Sequence, residues 1–426
     1  MGTSTHTIDA VRHIPLYYSN ADSHNSALTL ILALKPEWKE SQDTIEFNRF
    51  KDGITNTLLK ATNKLPGLSQ SEVDSEAILL RAYGKDTDIL IDREKETLSH
   101  SFLAQNGLAP PLLARFENGL LYKYIQGDVC TPADLRERAI WRGVARRLGE
   151  WHATLSISSI SKTVSLGAQN GNGHAISSHN EPMSSNEATS LLTPGKPLPN
   201  MWTVMQKWVH ALPTATSAEK TRQEELQHEL EWLFDLLGET PGITPETQYV
   251  FAHCDLLSGN VIVHPPTSST PSNNKSDGVV LTDHAATVSF IDYEYATAAP
   301  ASFDLSNHFA EWGGLECDFT VLPTRSVRRA FLKEYLDSFN THLNRSPKET
   351  DLDELFDQVD KFRCVPGLYW GIWALIQAQI SLIDFDYATY AEIRLGEYFA
   401  WKKELSGERK NSGEEAPVRE RRWAEE

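Results

Sequence analysis

The stretch His253-Cys-Asp-Leu-Leu-Ser-Gly-Asn260 runs directly into the apolar Val261-Ile-Val263, and a later apolar pair, Phe290-Ile291, ends on Asp292. This gives a carboxylate, an amide five residues later and a second carboxylate at the end of a later strand. Phosphoryl transfer from a nucleotide needs those parts. One carboxylate orients the attacking hydroxyl and takes its proton, while the amide and the second carboxylate hold magnesium ions that neutralise the migrating group. A single H-x-D-x-x-x-x-N pattern arises often by chance. The paired pattern, with strand-like sequence after each half, is much harder to obtain accidentally.

The bulk of the chain is consistent with an enzyme built around that feature. Its 426 residues are enough for a large core in two lobes, and 40% apolar against 23% charged residues is the balance of an ordinary folded chain. Forty basic against 58 acidic residues give a formal charge of −18, which argues against a nucleic-acid partner and suits a small cation. Cys130, Cys254, Cys317 and Cys364 are scattered, with no CxxC pair, so reduced thiols in a cytoplasmic protein are expected. The most apolar early run, Ala27 to Leu34, is too short to span a bilayer.

The N-terminal third reads as strands at Ala27–Leu34, Ile45–Phe50, Ile78–Tyr83 and Ile89–Ile91, then a helix from Asp92 to Gln105. Two more strands, Leu112–Phe116 and Leu120–Ile125, flank the hairpin dipeptide Asn118-Gly119. From Ala139 the pattern turns helical, with helices at 139–155, 202–210, 219–237, 303–312, 327–340, 352–360, 369–383 and 387–405. The expected fold is α+β and two-lobed, a small antiparallel sheet with one helix over residues 10–126 and a larger helical lobe over 127–405. Residues 156–199 and 265–277 read as flexible insertions, and the charged tail 406–426 as disordered.

Laid out in order, Asp52-Gly-Ile-Thr-Asn56, Leu80-Arg-Ala-Tyr-Gly84, His253 to Asn260, Ile291-Asp-Tyr-Glu-Tyr-Ala296, Phe303 to Trp312 and Leu368 to Gln377 make the chain resemble the ethanolamine/choline kinase family, ethanolamine kinases most closely. The resemblance runs from about Phe47 to Lys402. It implies a protein-kinase-like fold, ATP and Mg2+ as cofactors, and phosphorylation of ethanolamine as the first step of phosphatidylethanolamine synthesis by the CDP-ethanolamine route. It also allows a homodimer. Choline or dual specificity, an aminoglycoside-type phosphotransferase and an inactive kinase-shaped binding module are the alternatives. Cys254 departs from the family, which often has Asn there; its side chain is expected to point away from the reacting centre.

Each site residue has a bland reading beside the functional one. Asp255 is either the catalytic base or a loop carboxylate capping a turn, and His253 is more readily a hydrogen-bonded support than a proton carrier. Asn260 and Asp292 are the metal ligands of the motif. Arg81, mid-strand among apolar neighbours, either snorkels to solvent or faces a ligand. By resemblance it grips the nucleotide phosphates, paired with Glu96 of the next helix. Gly53, Thr55 and Asn56 form either a phosphate-covering turn or a plain hairpin. The segment Tyr124, Ile125 and Gln126 is the expected hinge against which adenine lies. Glu294 shares the Asp292 face if the strand persists. Asp304, Asn307, His308 and Glu311 recur on one helix face, a solvated stripe or a site-facing one. By resemblance Glu311 and Tyr295 contact the substrate, and Trp370, Trp373 and Tyr390 wall its ammonium group by cation–π attraction, where aromatics at helical spacing are otherwise core.

Overall fold

The computed structural model describes residues 11–50, 56–84, 90–155, 157, 196–265, 284–381 and 383–426. They fall into two compact units that divide between Gln126 and Gly127.

The N-terminal unit is built on a six-stranded sheet of order β1-β5-β6-β4-β3-β2. Its strands are β1 (His13–Ile14), β2 (Ile45–Arg49), β3 (Thr57–Asn63), β4 (Ile78–Ala82), β5 (Leu112–Phe116) and β6 (Gly119–Lys123). Neighbours pair antiparallel except β1 with β5, which run parallel, so the sheet is mixed at one edge rather than wholly antiparallel. Ala27–Leu34, expected as a strand, is instead part of helix α1 (Ser23–Leu34). A short apolar run fits either state, and burial of Ala27, Leu30 and Ile31, spaced three and four apart, decides for the helix. Those three side chains join Ile14, Leu59, Ile78, Leu80 and Leu121 in the core. Two further helices, α2 (Gln70–Ser75) and α3 (Arg93–Gln105), belong to this unit, so it carries more than the single helix expected. Asp92 caps α3, its side chain accepting from the Lys95 N–H at 3.0 Å. Leu90 and Ile91 lie in no strand.

The C-terminal unit places three short-stranded ladders among helices. Strand β8 (Val250–Ala252) pairs antiparallel with β11 (Thr297–Ala299), while β9 (Val261–Val263) lies between β7 (Asp128–Val129) and β10 (Val288–Phe290). Helix α4 (Arg138–Thr154) packs closely on α8 (Arg325–His342), with α5 (Met201–Ala211), α6 (Ser217–Leu237) and α7 (Ala301–Ala310) between them in the chain. A Cβ on Gly149 would stand 2.4 Å from the Tyr335 carbonyl oxygen, so only glycine allows the observed approach of α4 to α8. The same holds for Gly367 of α10 (Val365–Ile380), 2.6 Å from the Arg394 carbonyl of α11 (Tyr387–Leu405); α9 (Asp351–Phe362) precedes this pair.

The tail expected to be disordered carries α12 (Glu408–Ser412) and α13 (Val418–Ala424). Arg419 and Glu420 pair with Glu397 and Arg363, and Trp423 is buried beneath Arg328, contacts that no local pattern announces. Gly53 and Thr55, and nearly all of the two insertions, lie outside the described residues. No helix among the described residues is long and apolar enough to cross a membrane.

Candidate active site

The loop leaving β8 is held by the polar face of α7. Asp304 is fully buried, and its carboxylate accepts from the backbone N–H of His253 at 2.9 Å and of Cys254 at 2.8 Å. Its Oδ2 also lies 3.0 Å from His152 Nε2. Burial alone would raise the Asp304 carboxyl, but its hydrogen bond and charge interaction with His152 hold it below the usual range. Asn307 donates to the Cys254 carbonyl at 2.9 Å, and His308 Nδ1 donates to that of Leu256 at 2.8 Å. Asp304, Asn307 and His308 are therefore not solvated; they fix the loop backbone. Cys254 takes φ 64°, a left-handed conformation in which asparagine is also tolerated, and its side chain is buried.

His253 has both ring nitrogens engaged. Nδ1 accepts the Asp255 N–H at 3.3 Å, so Nε2 carries the proton and donates to the Ile291 carbonyl at 3.0 Å. Burial pushes its pKa down, which keeps it neutral. The imidazole ties the Asp255 loop to the segment carrying Asp292, and this leaves it no free nitrogen for proton transfer.

Asn260 turns its amide nitrogen to the Asp255 carbonyl at 2.8 Å and to Asp255 Oδ2 at 3.0 Å. The Ile291 N–H donates to the Asn260 carbonyl at 3.0 Å, continuing the β9–β10 ladder by one step. Asp292 follows that step by one residue, in a left-handed conformation of φ 65°. The Asp255 carboxyl is pushed well above the usual carboxylate range, first by burial and then by the charges of Asp292, Glu311 and Glu294. Glu294 reaches this field from a turn, because β10 ends at Phe290 and the expected strand alternation does not persist. An amide carbonyl and carboxylates are hard oxygen donors of the kind magnesium takes, so Asn260 and Asp292 are the residues here whose chemistry suits that ion.

In the N-terminal unit Arg81 of the central strand β4 is buried and lies 3.3 Å from Glu96 Oε1; Arg93 meets the other oxygen at 2.9 Å. Asn56 Oδ1 accepts the Gly84 N–H at 3.3 Å. The Tyr124 ring is covered by Lys60 Nζ at 3.8 Å, its N–H donates to Ala77, and Gln126 donates to the Ser71 carbonyl. Ile125 lies between them.

The aromatic residues form one continuous assembly. Trp370 meets Tyr295 at 5.6 Å and Trp373 at 5.4 Å, both edge-on, and the series continues through Tyr387 and Phe385 to Tyr390. Each indole is oriented by its N–H, Trp370 donating to Asn307 and Trp373 to the Tyr295 hydroxyl, both at 2.8 Å. Tyr369 belongs to the core instead, between Trp208 and Phe303. Glu311 is buried and receives Arg394 Nη1 at 2.9 Å. Glu316, in the turn that follows, is exposed and adds no carboxylate to the buried site.

Sequence reasoning missed Arg394, which donates to both Glu311 and Tyr390, and His152 behind Asp304. Arg394 lies four residues after Tyr390 on one helix face, and that spacing was the available signal.

The profile of the choline/ethanolamine kinase family matches residues 47–399. Mouse ethanolamine kinase 1 is 30% identical over 394 residues, covering 90% of either chain. Human ethanolamine kinase 2 is 31% identical over 402 residues, covering 93% of this chain and 86% of its own. Among solved structures, the ethanolamine kinase of Plasmodium vivax aligns with a TM-score of 0.64 at 22% identity, over 90% of this chain and 89% of its own. The choline kinase of Cryptosporidium parvum aligns at 0.59 and 20% identity, over 90% and 97%. These two share the kinase-like α+β fold. The matched segment contains the Asp255 loop, the Asp292 turn and the aromatic assembly alike, and the chain belongs to the choline/ethanolamine kinase family.

Proposed function

We propose that the chain transfers the γ-phosphoryl group of ATP to the hydroxyl of ethanolamine, giving phosphoethanolamine and ADP, the first step of phosphatidylethanolamine synthesis through CDP-ethanolamine. The observation that carries the chemistry is the Asp255–Asn260 contact at 3.0 Å, beside the Asp292 turn and within one field of carboxylates. The ethanolamine kinases among the relatives support the choice of substrate.

Asp255 accepts the proton of the substrate hydroxyl and orients that oxygen toward the phosphorus. Its raised pKa makes it a stronger base once ionised. Asn260 Oδ1 and Asp292 would hold magnesium, which when bound neutralises the phosphate charge. Arg81, kept in place by Glu96, holds the nucleotide phosphates, with Asn56 and the backbone near Tyr124 to Gln126 as further nucleotide contacts. Glu311 and Glu294 supply negative charge for the substrate ammonium, while Trp370, Trp373, Tyr390 and Tyr295 offer ring faces and a hydroxyl. His253 holds the loop.

A coupled ADP-release assay with ethanolamine, its N-methylated forms, choline and an aminoglycoside tests this reading. Turnover of ethanolamine that requires magnesium is expected. No turnover of any amino alcohol would overturn it.

A further inference from the structure

The carboxylate of Glu311 is the end of a buried row of charges that leads away from the site. Arg394 Nη1 donates to Glu311 Oε1 at 2.9 Å and to the Tyr390 hydroxyl at 2.8 Å, so two groups assigned to the ammonium depend on one nitrogen. Arg394 Nε lies 3.0 Å from Glu397 Oε1, and the other oxygen of Glu397 accepts from Arg419 Nε at 2.8 Å. Arg419 Nη1 reaches Glu420 Oε1 at 3.1 Å, and Glu420 Oε2 accepts from Arg363 Nη2 at 2.8 Å. The signs alternate along the whole row. From Glu311 to Glu420 no side chain in it is more than 6% exposed.

Arg419 and Glu420 belong to α13, beyond the residues 47–399 that the family profile matches. The helix is firmly seated. Trp423 Nε1 donates to Asp360 at 2.8 Å, the Arg328 guanidinium lies 3.8 Å over the Trp423 ring, and Arg325 N–H donates to the Glu425 carbonyl at 2.7 Å. Burying charges is costly, and their pairing repays this only with good geometry, so such a row is weak evidence of added stability. Its defined effect is geometric: each charge fixes the position of the next.

We propose that the C-terminal helix Val418–Ala424 is a positioning element of the amino-alcohol site, in which Arg419 holds Glu397, Glu397 holds Arg394, and Arg394 sets Glu311 and Tyr390. This rests on the reading that Glu311 and Tyr390 receive the substrate ammonium. Without Arg419, Glu397 keeps a buried carboxylate whose remaining charge partner in the row is Arg394. The guanidinium is then drawn toward Glu397 and away from Glu311 and Tyr390 together. The Asp255 loop is held by Asp304 through separate contacts, so its backbone stays in place.

Steady-state kinetics on the full chain test it. Arg419→Met is expected to raise KM for ethanolamine by about tenfold or more, with kcat and KM for ATP within about twofold of wild type. Arg421→Gln, on the exposed side of the same helix, should behave as wild type. Adding Glu397→Gln to Arg419→Met removes the stranded carboxylate and should return most of the lost affinity, whereas two purely structural lesions would compound. Should Arg419→Met fail to fold, Arg419→Lys carries the same test, since lysine keeps the charge and loses the fork. An unchanged KM for ethanolamine, or equal losses in both KM values and kcat, would overturn the proposal while leaving the wild-type activity standing. A wild-type chain inactive on every amino alcohol would instead remove the functional reading on which it rests.

Discussion

At the scale of single residues, the site holds a carboxylate that the fold itself disfavours. Asp255 is buried among Asp292, Glu311 and Glu294, and its pKa is raised for those reasons. A carboxyl that titrates higher in the folded than in the unfolded chain favours folding while protonated. That contribution is present below the usual carboxylate range and is lost as pH rises through the raised folded value. Asp255→Asn keeps an acceptor for Asn260 and removes the repelled charge. In the absence of nucleotide and metal it should raise the melting temperature at pH 8 by about 2–4 °C, with a smaller gain at pH 5. The same substitution should lower kcat by several orders of magnitude, since the base is gone. Melting curves at the two pH values, set beside turnover, check both halves; a loss of stability at pH 8 would show that the field at Asp255 is already compensated. The motif pair exposed Asp255, Asn260 and Asp292 in the sequence because their spacing is local. His152 was not legible and Arg394 was signalled only by its spacing from Tyr390, because their carboxylate partners lie 152 and 83 residues away.

The elements differ in how much of them could be read. Helices α4, α8 and α11 were found near their observed limits because their apolar spacing is helical and long. Helix α1 differs from the expected strand because an eight-residue run, apolar except for Thr29, carries no period that excludes a strand. The α13 segment was misread because Arg419, Glu420 and Trp423 are satisfied by Glu397, Arg363 and Asp360, which no local pattern reveals. Close approach of elements gives a prediction of its own. Gly149→Ala would force α4 from α8 by way of the Tyr335 carbonyl, and a well-packed contact that must open costs about 1–3 kcal/mol. Denaturant midpoints should fall accordingly, while kcat per folded molecule stays within about twofold, since Gly149 touches none of the reacting groups. A proportional fall in kcat would show that α4 also sets the Asp255 loop, through Trp151, whose Nε1 donates to the Phe251 carbonyl at 2.7 Å.

For the whole molecule the open matter is which amino alcohol it prefers, and charge and rings pull in different directions. Choline offers a quaternary ammonium without donors, which ring faces alone can serve. Ethanolamine offers three N–H donors, and each one left without an acceptor in a dry site costs about 1–3 kcal/mol. The aromatic assembly of Trp370, Trp373, Tyr295 and Tyr390 would serve both head groups. The carboxylates decide between them. Glu311 is buried with one oxygen on Arg394, and Glu294 and Glu311 both act on Asp255, so the acceptors proposed for a primary ammonium stand in the same field as the proposed base. Glu316 is exposed, so the preference has to come from Glu311 and Glu294. We therefore expect kcat/KM to favour ethanolamine over choline by about tenfold or more, the discrimination of one good hydrogen bond. Glu311→Gln should weaken both substrates, ethanolamine more than choline, because an amide accepts a hydrogen bond but carries no charge to meet the ammonium. Side-by-side kinetics with ethanolamine, its mono- and dimethyl forms and choline measure this directly. A steady fall in kcat/KM with each added methyl group is the expected result, and equal or better turnover of choline would reverse the assignment of substrate while leaving the roles of Asp255, Asn260 and Asp292 intact.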